Sequence, residues 1–188
     1  METLFIDKEI KYTGEQLSPH WIYKNFGIMG NAIVAFIGEC EVNLNHMVDI
    51  EDVVNNEPIY SKKMLNIIAE DFNSTLVEMV YKQRLLVTIT KELIEKKHPD
   101  INIRRSADDL FINNKKLSVS IATKSITSTL IHFGLNIISE GAPVNAADLT
   151  QDALITDIKQ FAMEILSYYK EEVKDIELAA TKVRGVTE

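Results

Sequence analysis

INIRRSADDLFINNKKLSVSIATKSITSTLIHFGLNIISEGAPVN, residues 101–145, is the stretch of sequence that decides the fold. Apolar and polar residues alternate on both sides of the pair Asn113-Asn114, over residues 110–112 before it and 117–121 after it. Asparagine tolerates the positive φ angles of a tight turn, so this pattern predicts a β-hairpin. A further β-prone run covers residues 130–138. We therefore expect residues 101–138 to form adjacent strands of one sheet.

This stretch resembles the core of biotin protein ligases and lipoate protein ligases. R-S-A-D-D-L and K-K-L-S-V-S, within residues 105–120, are similar to the K-W-P-N-D-L … G-R-K-L-A-G hairpin of biotin ligases. They are also similar to the N-D … K-(V/I)-S-G-S-A stretch of lipoate ligases. F-G-L-N at residues 133–136 resembles the following G-I-G-x-N strand. The whole chain is similar to a small microbial family of unknown function, which we place within the same fold.

The resemblance implies an α+β fold and a ligand site on the hairpin. The fold would have a central antiparallel or mixed sheet with flanking helices. Lys116 stands at the hairpin lysine of the ligases, Arg105 at their first motif lysine, and Asp108 and Asp109 at their Asn-Asp pair. We predict that Lys116, as the catalytic residue, and Arg105 hold a carboxylate or phosphate, because arginine suits bidentate binding of such groups. The other predicted ligand-binding residues are Asp108, Asp109, Ser118, Ser120, Thr123, His132, Asn136, Gly30 and Asn31.

Two features depart from the ligase pattern. Ligases of this fold carry a glycine- and arginine-rich loop around the adenylate, whereas the turn at residues 27–31 has two glycines and no arginine. Val119 replaces the glycine of the lipoate-type S-G-S motif. Both departures argue against a full biotin or lipoate ligase. ATP with Mg²⁺ is the cofactor that the resemblance implies, and these departures leave its binding open.

A second group of candidate residues lies in an acidic segment. Asp49, Glu51 and Asp52 follow His46 closely, and carboxylate oxygens are the ligands that Mg²⁺ prefers. The segment lacks the regular spacing of an EF-hand loop. It is therefore either a metal site or a solvated acidic loop.

The rest of the chain predicts strands followed by two long helices. Residues 61–72 fit either a strand or a helix, and we favour a strand. Gln83 and Arg84 interrupt the apolar stripe of the first long helix, which indicates a buried polar contact or an oligomer surface. The other predicted elements are strands at 3–6 and 9–13, a buried strand at 32–42, a helix at 75–97 capped by Asn73-Ser74, and a long helix capped by Thr150. We expect one domain in three segments: N-terminal strands and loop at 1–60, helix plus central sheet at 61–145, and C-terminal helix at 146–188.

Composition restricts the class of protein. The 188 residues carry a net charge of −8, which argues against binding to DNA, RNA or anionic membranes. No apolar run approaches the roughly 18 residues of a membrane span, and no signal peptide is apparent at the N-terminus. The single cysteine, Cys40, excludes an internal disulfide and fits a cytoplasmic protein. A sheet with exposed edges and an apolar helix stripe predicts a homodimer.

Three functions are compatible with these features. A ligase-like or acyltransferase-like protein would bind a small carboxylate-containing molecule, with or without a nucleotide. A non-catalytic ligand-binding or regulatory module would keep the fold without the chemistry. A metal-dependent hydrolase would use the acids at 49–52 with a histidine. The sequence leaves open which molecule binds and whether the protein is an enzyme.

Overall fold

The computed structural model describes residues 1–141 and 145–186. Eight strands and four α-helices follow one another in this part of the chain. They are β1 (Glu2–Ile6), α1 (Trp21–Phe26), β2 (Ala32–Val42), α2 (Ile50–Asn55), β3 (Ile59–Asp71), α3 (Leu76–Lys97), β4 (Ile103–Ser106), β5 (Asp109–Ile112), β6 (Lys115–Lys116), β7 (Ser118–Lys124), β8 (Thr129–Ile138) and α4 (Ile158–Thr181).

The main sheet has five strands in the order β1-β2-β3-β8-β7. β1 runs parallel to β2, and the other neighbours are antiparallel. The register places Ala35 opposite Ile67, and Ile67 opposite Phe133. The mixed sheet with flanking helices confirms the predicted α+β class, and β3 confirms the strand favoured for residues 61–72.

Each face of the main sheet buries its own hydrophobic cluster, because successive strand residues point to opposite faces. On one face, Leu65 and Phe133 belong to the cluster that includes Leu86 of α3 and Phe161 of α4. On the other face, Phe36 and its neighbours pack with α1 and the segment around residue 12. Full burial of one such side chain contributes roughly 1.5–3 kcal/mol, so the two clusters hold the sheet in place.

The hairpin lies in a second sheet, so the prediction of one sheet over residues 101–138 is wrong. β4, β5 and β6 form a separate three-stranded sheet. Its turn is the predicted one, with φ of 49° at Asn113 and 64° at Asn114. At Leu110 the backbone carbonyl accepts from the N–H of Leu117, whereas the N–H of Leu110 donates to the Ser118 hydroxyl instead of to a backbone group. The chain then enters the main sheet as β7.

The two long helices differ from the prediction mainly at their first residues. Thr75, and not Asn73-Ser74, caps α3 through a reciprocal pair of hydrogen bonds with Glu78. α4 begins at Ile158 after the cap Asp157, so Thr150 does not cap it. The Asp148 carboxylate instead accepts hydrogen bonds from Thr150 and Gln151 and holds that segment in a turn. No helix in residues 1–141 and 145–186 is long and apolar enough to cross a membrane.

The N-terminal segment does not form the predicted strand-turn-strand pair. β1 pairs with the first half of β2, and Tyr12 pairs further along the same edge with Cys40. Both pairings are parallel to β2, so the two short segments occupy one edge in succession instead of pairing with each other. This path carries Tyr12 to the far end of β2, where the candidate site lies.

Candidate functional site

A cavity of about 340 Å³ opens where the β2–β3 connection meets β7, β8 and the hairpin. Its apolar wall includes Leu17, Val42, Met47, Met64, Val119 and Ile121. Its acidic lining consists of Asp49, Glu51, Asp52, Glu57, Asp108 and Asp109. Among the described residues, Lys116 is the only lysine or arginine that lines the cavity.

Lys116 is held by an ion pair with the predicted partner Asp109. The Nζ of Lys116 lies 2.8 Å from a carboxylate oxygen of Asp109, and both side chains are only partly exposed. Burial raises the pKa of the Asp109 carboxyl, and the hydrogen bond from Lys116 opposes that rise. The neighbouring lysine, Lys115, pairs with Asp152 at 3.0 Å and does not line the cavity. Consecutive strand residues point to opposite faces, so only one of the two lysines reaches the site.

Helix α3 positions Asp108. Arg84 forms an ion pair with one carboxylate oxygen of Asp108 at 2.7 Å, and Gln83 donates a hydrogen bond to the other at 3.0 Å. Gln83 is buried and also donates to the Ser120 hydroxyl on β7. Gln83 and Arg84, which interrupt the apolar stripe of α3, therefore connect the helix to the hairpin, and Gln83 also connects it to the main sheet.

Arg105 does not reach the cavity, contrary to the expectation that it joins Lys116. Its guanidinium is exposed and donates to the carbonyl oxygen of Ala107 in the adjacent turn. Ala107 has a φ of 53°, which turns that carbonyl back toward the end of β4. Arg84, distant in sequence, pairs with Asp108 instead.

His132 is buried on the floor of the cavity. Its ring stacks on Tyr12 with a centroid separation of 3.7 Å, and its Nε2 lies 3.0 Å from Oδ1 of Asn66. Because the amide oxygen is an acceptor, Nε2 carries the proton. Burial lowers the pKa of His132 to about 3, so the ring is neutral at physiological pH. It can accept a hydrogen bond, but it is a poor proton donor to a ligand.

The other predicted ligand-binding residues divide into two groups. Ser118, Ser120 and Asn136 line the cavity, although their polar groups already bond to Leu110 N–H, Gln83 and the Ala147 carbonyl, respectively. Thr123 lies further along β7 and does not line the cavity. Gly30 and Asn31 precede the first residue of β2, whereas the cavity lies at its last residue. Asn31 there accepts a hydrogen bond from the backbone of Phe72. The structure therefore does not bring Thr123, Gly30 and Asn31 to Lys116.

The acids at 49–52 line the cavity but do not form the predicted metal site. Asp49 is the cap of α2, and its carboxylate accepts a hydrogen bond from the N–H of Glu51 at 2.9 Å. Among residues 1–141 and 145–186, no three His, Cys, Asp or Glu side chains are grouped closely enough to hold a metal ion. Burial, together with the charge of Asp49, raises the pKa of Asp52, whereas Lys116 opposes the rise. These acids therefore contribute negative charge to the cavity.

The cavity also has lining residues that were absent from the sequence-based prediction, among them Tyr12, Met64 and Glu57. Glu57 precedes β3 and Met64 lies within it, where no motif marks them. Tyr12 arrives only because its segment runs along the edge of β2. Cys40, predicted to be a core residue, is fully buried beside it, and burial raises the pKa of its thiol to about 12.

The fold is similar to that of biotin and lipoate protein ligases. Structural similarity supports this class: the biotin protein ligase from Aquifex aeolicus, in complex with biotin and ATP, has a TM-score of 0.58 at 15% identity, covering 92% of this chain and 70% of that chain. Protein Ta0514 from T. acidophilum, with bound lipoic acid, has a TM-score of 0.57 at 12% identity, covering 93% and 87%. At these identities the similarity establishes the fold alone.

The chain belongs to the DUF366 family, a domain of unknown function whose family model matches residues 1–184. It is 37% identical over 182 residues to the uncharacterized protein MJ0805 of Methanocaldococcus jannaschii, covering 94% of this chain and 81% of that protein. A solved protein of unknown function from Pyrococcus horikoshi has a TM-score of 0.91 at 36% identity, covering 98% of each chain. This confirms the predicted membership of a family of unknown function within the ligase-like fold.

Proposed function

We propose that this protein binds a small organic acid in the cavity, with the carboxylate at Lys116 and the apolar body against Met64 and Val119. The observation that carries the proposal is the position of Lys116, a cation at one side of a concave and partly apolar cavity. Ligand sites commonly combine apolar walls with a few fixed polar groups in a volume of about 300–1,000 Å³. The cavity of about 340 Å³ accommodates a small ligand.

Lys116 keeps donors for a ligand although it already pairs with Asp109. An ammonium group has three N–H donors. Within the described part of the chain, Asp109 is the only carboxylate within ion-pair distance of the Lys116 ammonium group. Asp109 also fixes the ammonium group before a ligand arrives, because it restricts the lysine's rotamers. A second carboxylate would therefore complete a site that is already organised.

Activation of the acid with ATP is a second candidate function, and the neighbours solved with biotin and ATP favour it. Lys116 would then stabilise the negative charge that develops as the acyl group meets the phosphate. However, the cavity lining carries six carboxylates, which repel a polyphosphate unless Mg²⁺ accompanies it. The geometry therefore supports binding of the acid better than it supports its activation.

Two measurements separate these functions. Thermal-shift screening against a panel of short carboxylic acids, followed by calorimetry, tests binding, and ATP–pyrophosphate exchange with the same acids and Mg²⁺ tests activation. Binding without exchange supports a ligand-binding or regulatory module. Exchange above the protein-free level would establish ligase-type chemistry. If none of the acids stabilises the protein, the proposed ligand class is wrong.

The homodimer and the cytoplasmic location stay predictions. β1 is an edge strand of the main sheet, and the residues beside it on α4, such as Met163, are partly exposed. We propose that this edge is where a second copy binds. A sedimentation mass near 21.3 kDa at high protein concentration would contradict it.

A further inference from the structure

The charges around the cavity are not balanced. Asp108 is paired with Arg84, and Asp109 with Lys116. The remaining acids of the lining have no ion-pair partner among residues 1–141 and 145–186: they are Asp49, Glu51, Asp52 and Glu57. A simple carboxylate ligand would add a further negative charge to this side of the cavity.

Asp52 experiences this imbalance most directly. It is half-buried, and the charges of Asp49, Glu57 and Glu51 reinforce the effect of burial in raising its pKa. Asp52 and Lys116 line the same cavity, and the charge of Lys116 acts on the Asp52 carboxyl in the opposite direction. A positive group on the ligand beside Asp52 would relieve the repulsion among these carboxylates.

The floor of the cavity offers further acceptors for such a group. Tyr12 and His132 line the cavity and are each only 3% exposed. The Nε2–H of His132 donates to Asn66, so the lone pair is on Nδ1, which accepts no hydrogen bond from the described residues. The Tyr12 hydroxyl likewise makes no hydrogen bond within that part of the chain. Both residues line the cavity, so these two atoms are available to a ligand that carries N–H donors.

We propose that the ligand is an amino acid with an apolar side chain, whose carboxylate contacts Lys116 and whose ammonium group contacts Asp52. This proposal rests on the proposed function and specifies its substrate class. A zwitterion provides one charge of each sign, and Lys116 and Asp52 provide groups of opposite sign on the lining of the same cavity. Its apolar side chain would occupy the wall formed by Met64 and Val119. The four unpaired acids would then favour the zwitterion over an otherwise identical fatty acid.

A matched set of three probes tests this inference: norleucine, hexanoate and pentylamine. Norleucine differs from hexanoate by its amino group and from pentylamine by its carboxylate. Calorimetry should show that norleucine binds at least about tenfold more tightly than either, since loss of one partner of a desolvated charge pair typically weakens binding by that factor or more. Asp52→Asn should reduce norleucine affinity to that of hexanoate. Asp175→Asn, which removes an exposed acid from α4, should leave all three affinities unchanged.

Each outcome has a distinct meaning. Equal affinities for norleucine and hexanoate would overturn the amino-acid inference and leave the organic-acid site intact. Equal affinities for norleucine and pentylamine, unaffected by Lys116→Met, would overturn both the carboxylate contact and the amino-acid inference. Failure of all three probes to bind at millimolar concentration would contradict both proposals. Glu57→Gln provides a second variant if Asp52→Asn lowers the melting temperature, and it should weaken norleucine more than hexanoate.

Discussion

The ammonium group of Lys116, the last residue of β6, lies 2.8 Å from the carboxylate of Asp109, the first residue of β5. The pair connects the two ends of the hairpin at the edge of the cavity. Burial disfavours the charged form of Asp109, and Lys116 compensates for it. Lys116 therefore contributes both to the stability of the hairpin and, by our proposal, to ligand binding.

The first prediction separates these two contributions. Lys116→Ala should weaken binding of a carboxylate ligand about thirtyfold or more, because a partly desolvated charged contact is worth roughly 2–5 kcal/mol. Lys115→Ala should change affinity little, because its partner Asp152 lies outside the cavity lining. Calorimetry with hexanoate or norleucine measures both variants.

A double variant provides the control for folding. Lys116→Ala leaves the Asp109 carboxylate without its ion-pair partner, and Asp109→Asn removes the charge that was left. Lys116→Ala/Asp109→Asn should therefore recover stability in urea unfolding without recovering affinity. Equal, small effects of Lys115→Ala and Lys116→Ala on affinity would place the site elsewhere.

The second prediction concerns the pH dependence of stability. His132 has an ordinary pKa near 6.5, which burial lowers to about 3 in the folded state. Between these values the unfolded chain binds a proton that the folded protein does not, so stability falls as pH decreases from about 6.5 to about 3. The loss from this residue amounts to about 2 kcal/mol at pH 5.

His132→Gln isolates this contribution because other groups also titrate in that range. Urea unfolding of both proteins at pH 7 and pH 5 should show a smaller loss of stability for the variant. The difference between the two losses should approach about 2 kcal/mol. Equal losses in the two proteins would mean that His132 does not stay neutral in the folded state.

The fold was predictable from the sequence where local patterns and tertiary packing agree. Residues 32–42 form an apolar, alternating run, and they become the buried strand β2. The helix α3 has both an apolar stripe and a local cap, although the cap is one residue further along than predicted. The division into two sheets was not predictable, because it involves a side chain: the N–H of Leu110 donates to the Ser118 hydroxyl, whereas its carbonyl still accepts from the backbone N–H of Leu117. The alternation of apolar and polar residues is the same whether these strands form one sheet or two.

The residues that line the cavity were predictable only where they lie within one motif. Lys116, Asp108 and Asp109 lie close together in the sequence, and the structure places all three at the cavity. The structure does not place Arg105 at the cavity, and this was not predictable because the choice between Arg105 and Arg84 as partner of Asp108 depends on how α3 packs against the hairpin. The polar residues Gln83 and Arg84 within the apolar stripe of α3 were a usable sequence signal of the contact between that helix and Asp108. No local signal places Tyr12 beside His132.

The third prediction concerns the close approach that brings Tyr12 to the cavity. A Cβ atom on Gly38 would lie 1.9 Å from the carbonyl oxygen of Ile10, which is backbone and cannot rotate away. Gly38→Ala should therefore destabilise the protein by about 3 kcal/mol. Gly185→Ala is the matched control, since no heavy atom lies within 4 Å of that added Cβ. Urea unfolding measures both, and similar small effects would mean that the Ile10 segment can move away from β2.

The last prediction concerns an ion pair away from the cavity. The side chain of Asp71, at the end of β3, is fully buried, and Lys82 of α3 contacts it at 2.5 Å. Burial works to raise the pKa of Asp71, but the hydrogen bonds from Lys82 and from the N–H of Asn73 lower it below its ordinary value. The pair thus stabilises the protein above the ordinary pKa of aspartate, and this contribution is lost as pH falls through the lowered pKa.

Lys82→Met should destabilise the protein at pH 7 by about 3–5 kcal/mol, because it leaves a buried charge without its partner. Lys62→Met removes a lysine from an exposed pair with Glu140 and should cost under about 1 kcal/mol. The difference between Lys82→Met and the unchanged protein should shrink toward pH 4, because the unpaired Asp71 becomes protonated in the variant. Asp71→Asn/Lys82→Met should restore much of the stability, since it removes both charges together. A deficit in Lys82→Met that matches Lys62→Met and does not vary with pH would show that water reaches Asp71 and that the pair is not a buried one.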